Sequence, residues 1–351
     1  MPVSPNTLET LLLPFASGAL AWPVRGKVLF MRARAGAGLG DILVPADSLV
    51  CEQSFKPYAD ALAAAGYPPA APLADERGYA VVLLLPPRQR EEARALLAQA
   101  LQRVAADGVV VAAMANNEGA RSGEADLERL AGAVQSLSKN KCRVFWAEAN
   151  AVRRNAALID EWAAFDAPRP IADGRFLSRP GLFAWSRIDA ASALLARCLP
   201  DNLGGCGADL GAGFGYLAAE VLERCPAVTA LDLYEAEGRG LELARLNLHR
   251  YAADNAQLRL DFLWHDVTRG LPAGRRYDFI VSNPPFHQGR VDQPEIGQAF
   301  LVAAAHALVP GGRFWLVANR HLPYEAVLRV NFRKVRPVRE EQGFKVIEAI
   351  K

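Results

Sequence analysis

The sequence predicts an α/β protein of two tandem doubly wound domains, the first a degenerate copy of the second. Three observations carry this. Beyond Gly181, strand-like apolar runs alternate with helical ones, the pattern of a parallel sheet covered on both faces. The first of those strands leads through a glycine-rich loop into a helix. And one plan occurs twice: "YAVVLLLPPRQ" from Tyr79 and "YDFIVSNPPFHQ" from Tyr277 are each followed by a helical run, a glycine and an apolar strand ending in Ala-Asn, at Asn116 and at Asn319. At 351 residues the chain is long for one core. The expected division is a first domain over 1–165, a linker over 166–180 and a second domain over 181–351.

In the first half, the strand-like "KVLFM" precedes "AGAGLGDI", with Gly36, Gly38 and Gly40. This reads as a plain loop, because the chain from there to Tyr79 is short and no clear acid ends a second strand. In the first copy Leu85 takes the position of Asn283 and Arg88 that of Phe286. The duplication therefore kept the scaffold and lost the amide and the ring, leaving a non-catalytic partner domain. "FDAPRPIADGRFLSRPG" is rich in Pro, Gly and Arg without apolar periodicity, and reads as the linker. "GLFAWSRIDAASALLARCL" then reads as an amphipathic helix. Strands are expected at 207–210, 228–234, 258–264, 277–282 and 313–317. Helices are expected at "YLAAEVLERC", "GLELARLNLHRYA" and "IGQAFLVAAAHAL".

Composition narrows the class. A net charge of +2 is no polycation, so nucleic-acid contact would need local patches such as "VRRN", Arg169, Arg175, Arg179 and "FRKVRPVRE", around the Asn283 pocket. The longest apolar run, "AVVLLL", is far too short to span a bilayer, and the amino terminus has no basic start before its apolar part. The five cysteines form no C-x-x-C pair and the five histidines no ligand spacing, so reduced thiols and no metal site are expected. A cytoplasmic monomer without membrane contact is the expectation.

The chemistry-bearing residues lie at strand ends. "GADLGAGFGYL" sets Gly211, Gly213 and Gly215 between a strand and a helix, where glycine permits φ > 0 and backbone N–H groups can approach a ligand. Tyr216 breaks the dinucleotide fingerprint G-x-G-x-x-G, which disfavours a nicotinamide enzyme. Asp209 precedes the loop. The next strand ends in acids, and Glu235 is preferred to Asp232 as the partner of ribose hydroxyls, because Asp232 would sit inside the strand. Asp266 ends the third strand as the partner of an adenine amino group. Asn283 ends the fourth, followed by two prolines that cannot join a ladder. Singly, each acid is equally a helix cap or a solvated loop residue; it is their succession at strand ends that points to a nucleoside ligand.

Together, Asp209 to Gly215, the strand-tip acid and "NPPF" (Asn283 to Phe286) resemble the class I S-adenosylmethionine-dependent methyltransferases that act on planar amino nitrogens, a Rossmann-like fold. "VANRHLPYE" and "FKVIEA" bring the resemblance to the bacterial ribosomal RNA guanine-N2 methyltransferases. The resemblance is to the RsmC type acting on 16S rRNA of the small ribosomal subunit, with a large-subunit (23S) sister family next. It implies S-adenosylmethionine as cofactor, bound by Asp209, Gly211, Gly213, Gly215, Glu235, Asp266 and Asn283. It also implies that the Asn283 side-chain carbonyl and the Pro284 backbone carbonyl accept the two N–H bonds of a guanine amino group, while Phe286 stacks on the extruded base. His287 is a further pocket candidate. The rival readings are methylation of adenine N6 or of a protein glutamine, and a silent binding protein that kept the fold.

Overall fold

Runs of Val, Leu, Ile and Phe with no polar alternation have no face to offer to water, and so belong in strands covered on both sides. In the computed structural model, which describes residues 5–36, 38–70, 76–149, 152–285, 287–288, 291–292 and 294–351, these runs form the central strands of two sheets. The chain divides into two compact units, Met1–Ala167 with Arg179–Gly181, and Pro168–Ser178 with Leu182–Lys351.

Unit 1 runs α1 (Pro5–Leu11), α2 (Leu13–Ala16), β1 (Val28–Met31), β2 (Leu49–Glu52), α3 (Lys56–Ala64), β3 (Tyr79–Leu84), α4 (Arg90–Arg103), β4 (Val104–Ala115), α5 (Ala120–Ala131), β5 (Gln135–Lys139), β6 (Cys142–Glu148) and α6 (Ala156–Ala163). Its six-stranded sheet has the order β2-β1-β3-β4-β6-β5. The first four are mutually parallel, and β6 runs antiparallel to both of its neighbours, β4 and β5.

Unit 2 opens with a hairpin, β7 (Arg169–Ile171) and β8 (Phe176–Ser178), formed by the segment read from sequence as a linker. Ile171 and Phe176 are buried in the unit 2 core, and the Asn247 side chain bonds the Leu177 amide and carbonyl at 2.7 and 3.0 Å. There follow α7 (Ala190–Cys198), β9 (Gly204–Leu210), α8 (Tyr216–Arg224), β10 (Ala227–Glu235), α9 (Gly238–Asp254), β11 (Arg259–Trp264), β12 (Tyr277–Ser282), the short pair β13 (His287–Gln288) and β14 (Val291–Asp292), α10 (Pro294–Ala307), β15 (Leu308–Asn319), α11 (Tyr324–Asn331), β16 (Lys334–Glu341) and β17 (Phe344–Ile350). The seven-stranded order is β11-β10-β9-β12-β15-β17-β16, so the crossover from β9 sends β10 and β12 to its opposite sides. Open α/β sheets bind their ligands in the crevice at such a switch point, outside the carboxyl ends of the strands.

The helix expected to begin near Gly181 begins at Ala190 instead. Asp189 stops it from extending backwards: its backbone is extended (ψ 135°) and its carboxylate accepts the Ser192 amide, an N-cap.

The two sheets share one plan, and their registers match residue for residue. In unit 2, Leu210 pairs with both Tyr234 and Ser282. In unit 1, Met31 pairs with both Glu52 and Leu84. Arg32, Arg34 and Gly36 therefore stand where Gly211, Gly213 and Gly215 stand, Phe30 replaces Asp209, Gln53 replaces Glu235 and Leu85 replaces Asn283. The six-stranded sheet lacks a counterpart of β11, which is why the chain before Tyr79 is short. Glu52 does end the second strand, but its carboxylate is held by Arg103 at 2.7 and 2.8 Å.

Candidate active site

Four adjacent strands, β11, β10, β9 and β12, bring Asp266, Glu235, the glycine loop and Asn283 into one row at their carboxyl ends. With neighbouring strands about 4.8 Å apart, that row is roughly 15 Å long. It suits an elongated ligand of nucleoside length with a short tail.

The loop between β9 and α8 turns on its glycines. Gly211, Gly213 and Gly215 have φ of +78°, +56° and +90°, values that a side chain makes costly. Gly215 is also the N-cap of α8 and offers no side chain to cap its first amides. At Gly240 a Cβ would lie 3.3 Å from the Gly213 carbonyl, so α9 approaches the loop through another glycine.

Glu235 stands across from that loop. Its Oε2 accepts the Gly213 amide at 2.7 Å and its Oε1 the Glu237 amide at 2.8 Å. Burial raises its pKa, opposed by these amide donors. Each carboxylate oxygen keeps a second lone pair, and a ribose diol fits that donor-accepting geometry. Asp232, the alternative, is wholly buried; its Oδ2 accepts from Tyr277 at 2.6 Å and Arg275 at 2.8 Å, so it belongs to the sheet's interior.

Asp209 is also fully buried, beneath the loop. Its Oδ2 accepts the Ala218 amide at 3.1 Å, while Oδ1 has no hydrogen-bond partner. Burial pushes its pKa up to about 8, with the charge of Glu235 adding to the rise and the Ala218 amide opposing it. The geometry is that of a group bracing the loop against α8. Asp266 caps a short 3-10 turn: its Oδ1 accepts from the Thr268 amide at 3.0 Å and its hydroxyl at 2.6 Å. Sequence reading missed Trp264. Its Nε1 donates to the Ala236 carbonyl at 2.9 Å, and its ring, 37% exposed, sits beside Glu235 in register. An exposed tryptophan at a strand tip was the available signal.

Asn283 follows β12, whose last residue, Ser282, is tied to the glycine strand by its hydroxyl donating to the Leu210 carbonyl at 2.7 Å. The Asn283 side chain is half-buried, and its Nδ2 donates to Asp189 Oδ2 at 3.0 Å and to Ser192 Oγ at 2.9 Å, both on the first turn of α7. Pro284 is buried behind it. Phe286 and the side chain of His287 lie outside the described residues. Among the described residues no cluster of three His, Cys, Asp or Glu is placed to hold a metal, and all five cysteines are unpaired. The linker and tail arginines are engaged: Arg175 with Glu220 and Glu223, Arg179 with Asp166, Arg336 with Glu348 and Arg339 with Glu341.

Comparison with known proteins agrees with this geometry. The family model described as "Methyltransferase small domain" matches residues 173–348. The ribosomal RNA small subunit methyltransferase C of Pseudomonas aeruginosa (strain LESB58) is 36% identical over 182 residues, 51% of this chain and 52% of that protein. The match thus spans about half the length of this relative. The ribosomal RNA large subunit methyltransferase G of Shewanella amazonensis is 31% identical, covering 62% of this chain and 55% of its own. Among solved structures, the T. thermophilus 16S rRNA N2 G1207 methyltransferase (RsmC), in complex with AdoMet and guanosine, superposes with a TM-score of 0.79. That match has 24% identity and covers 99% of this chain and 92% of the other, so both units share its two-domain class I methyltransferase fold. The chain belongs to the methyltransferase small domain family.

Proposed function

We propose that this chain transfers the methyl group of S-adenosylmethionine to the exocyclic N2 amino group of a guanine in ribosomal RNA, with 16S rRNA of the small subunit as substrate. The observation that carries this reading is the row of strand ends, in which a backbone-lined loop lies one strand, and a ribose-competent carboxylate two strands, from an oriented asparagine amide. The names of the relatives that share the fold and the matched half support the choice of ribosomal RNA.

In this reading Gly211, Gly213 and the amides at the start of α8 hold the cofactor's tail, Glu235 its ribose and Asp266 with Trp264 its base, while Asp209 braces the loop. When bound, the cofactor supplies an electrophilic methyl on a positively charged sulfur. A guanine amino nitrogen is a poor nucleophile because its lone pair is delocalised into the ring. With the Asn283 Oδ1 and the Pro284 carbonyl accepting its two N–H bonds, that lone pair is turned toward the methyl. The extra proton on nitrogen passes to solvent after transfer. Such positioning contributes up to about 7–11 kcal/mol in favourable systems. The prolines fix the backbone torsions that aim the carbonyls. Phe286 is assigned the stacking of the extruded base, and unit 1 a non-catalytic role.

The test is transfer of labelled methyl to unmodified small and large ribosomal subunits, read by nucleoside mass spectrometry. The expected product is N2-methylguanosine in the small subunit only. Asn283→Ala is expected to lose roughly a hundredfold or more of the rate while cofactor affinity changes little. Label in the large subunit alone would move the substrate to 23S rRNA. Methylated adenine, or no label despite cofactor binding, would overturn the guanine reading.

A further inference from the structure

Asn283 can serve as an acceptor only if its amide faces the right way, and a primary amide is nearly symmetric in shape. Among the described residues, neither β12 nor Pro284 bonds the Asn283 side chain. The distinction is made by α7, a helix that precedes Asn283 in sequence by some ninety residues.

The Asp189 Oδ2 accepts two bonds, the Ser192 amide at 2.8 Å and the Asn283 Nδ2 at 3.0 Å. The Ser192 hydroxyl lies 2.9 Å from the same nitrogen. An ionised carboxylate has no proton to give. With the amide turned over, the Asn283 Oδ1 would meet the Asp189 oxygen with no hydrogen between them. Ser192 is 9% exposed, so one of the two groups that meet the amide is buried. Both N–H bonds of the amide are therefore spent on α7, and the carbonyl oxygen is left to the opposite, crevice side.

We infer that Asp189 and Ser192 are positioning residues for the proposed methyl transfer: they clamp the Asn283 amide so that its carbonyl faces the substrate amino group. The capping turn of α7 thus does two things with one carboxylate. It stops the helix, and it sets the polarity of a side chain just beyond β12. This inference rests on the proposed function for its activity readout and on the hydrogen bonds alone for its spectroscopic one.

The decisive variant is Ser192→Ala. The Ser192 hydroxyl caps nothing, and alanine favours a helix, so a merely structural role predicts a stable and fully active protein. The clamp predicts that kcat falls about tenfold while KM for the ribosomal substrate and cofactor affinity stay within about twofold, the signature of an interaction lost at the reacting centre. Ser192→Thr, which keeps the hydroxyl, is expected to restore most of the rate. Asp189→Ser retains a capping oxygen but withdraws the carboxylate, and is expected to lower kcat by a similar factor.

The second readout needs no substrate. The side-chain amide protons of Asn283, identified in a nitrogen–proton NMR spectrum by their loss in Asn283→Asp, are expected to exchange slowly in the parent protein. In Ser192→Ala they should exchange much faster. Unchanged kcat together with unchanged exchange in Ser192→Ala would overturn the inference. If the parent protein methylates no ribosomal substrate while the exchange result holds, the proposed function fails and the clamp stands.

Discussion

Asp209 is a carboxyl group folded into a place that does not favour its charge. Burial lifts its pKa to about 8, against about 3.9 for an aspartate in an unfolded chain. Between those values the unfolded chain releases a proton that the fold retains. The group's contribution to stability is thus fully present below about pH 4 and is lost as pH rises toward 8, by about 1.4 kcal/mol for each pH unit inside that window. Asp209→Asn keeps an acceptor for the Ala218 amide without the titration. Its denaturant-unfolding free energy is expected to vary less between pH 5 and pH 8 than that of the parent; equal slopes in the two proteins would refute the assignment. The sequence showed Asp209 beside the loop, and grouped it with the cofactor ligands. That it lies beneath the loop depends on the pleat of β9, which a string of residues does not display. That Asp232 would sit inside the strand was legible, and its carboxylate does meet Tyr277 and Arg275 there. The partnership of Asn283 with Asp189 was not legible, since it joins a helix cap to a strand end through space and has no local pattern.

At the scale of elements, the parallel strands of unit 2 were visible because buried parallel strands read as unbroken apolar runs; β12 has the bounds expected for it, Tyr277–Ser282. β15 runs longer than its apolar heart because Leu308 already pairs with Tyr277, and "VPGG" forms an irregularity before the register resumes at Arg313 with Phe279. The start of α7 was misplaced, as apolar residues before Asp189 mimic helical spacing and only the cap decides. One contact between elements is tight enough to test. Gly207 on β9 faces the Phe279 ring on β12, with which it pairs, and a Cβ there would sit 2.1 Å from the ring. The ring lies in the middle of the core and cannot swing to solvent. Gly207→Ala is therefore expected to destabilise the fold by about 1–3 kcal/mol, the usual cost of overpacking. Combining it with Phe279→Leu, which opens room at the same spot, should recover part of the loss. Additive losses in the double variant would show that the two residues do not contend for that space.

For the molecule as a whole, two sheets with one plan raise the question of how many cofactor sites there are. Unit 1 has backbone strands in the right order and even an amide, Gln53, at the place of Glu235: it accepts the Phe55 amide at 2.9 Å just as Glu235 accepts that of Glu237. Its other oxygen, however, has become an NH2 group that donates to the Ala33 carbonyl at 2.7 Å, so a ribose diol would meet a donor. Where Gly213 and Gly240 leave a backbone-lined gap in unit 2, unit 1 sets Arg34 and Tyr58, the guanidinium 3.3 Å from the ring centroid and the arginine 8% exposed. Burial pulls that guanidinium down to about 10, a cost met in part by the tyrosine ring it stacks on. An arginine in the place of a glycine closes a pocket from within, and its pairing with Tyr58 across the chain has no local pattern in the sequence. Calorimetric titration with S-adenosylmethionine is therefore expected to give one site per chain. Glu235→Gln should weaken that site by tenfold or more, as a charged acceptor of hydrogen bonds is removed. Gln53→Glu should leave the stoichiometry at one, because restoring the carboxylate does not move Arg34 or Tyr58. A second site in the parent protein, or one gained by Gln53→Glu, would mean that the arginine yields to ligand and that unit 1 is a binding domain after all.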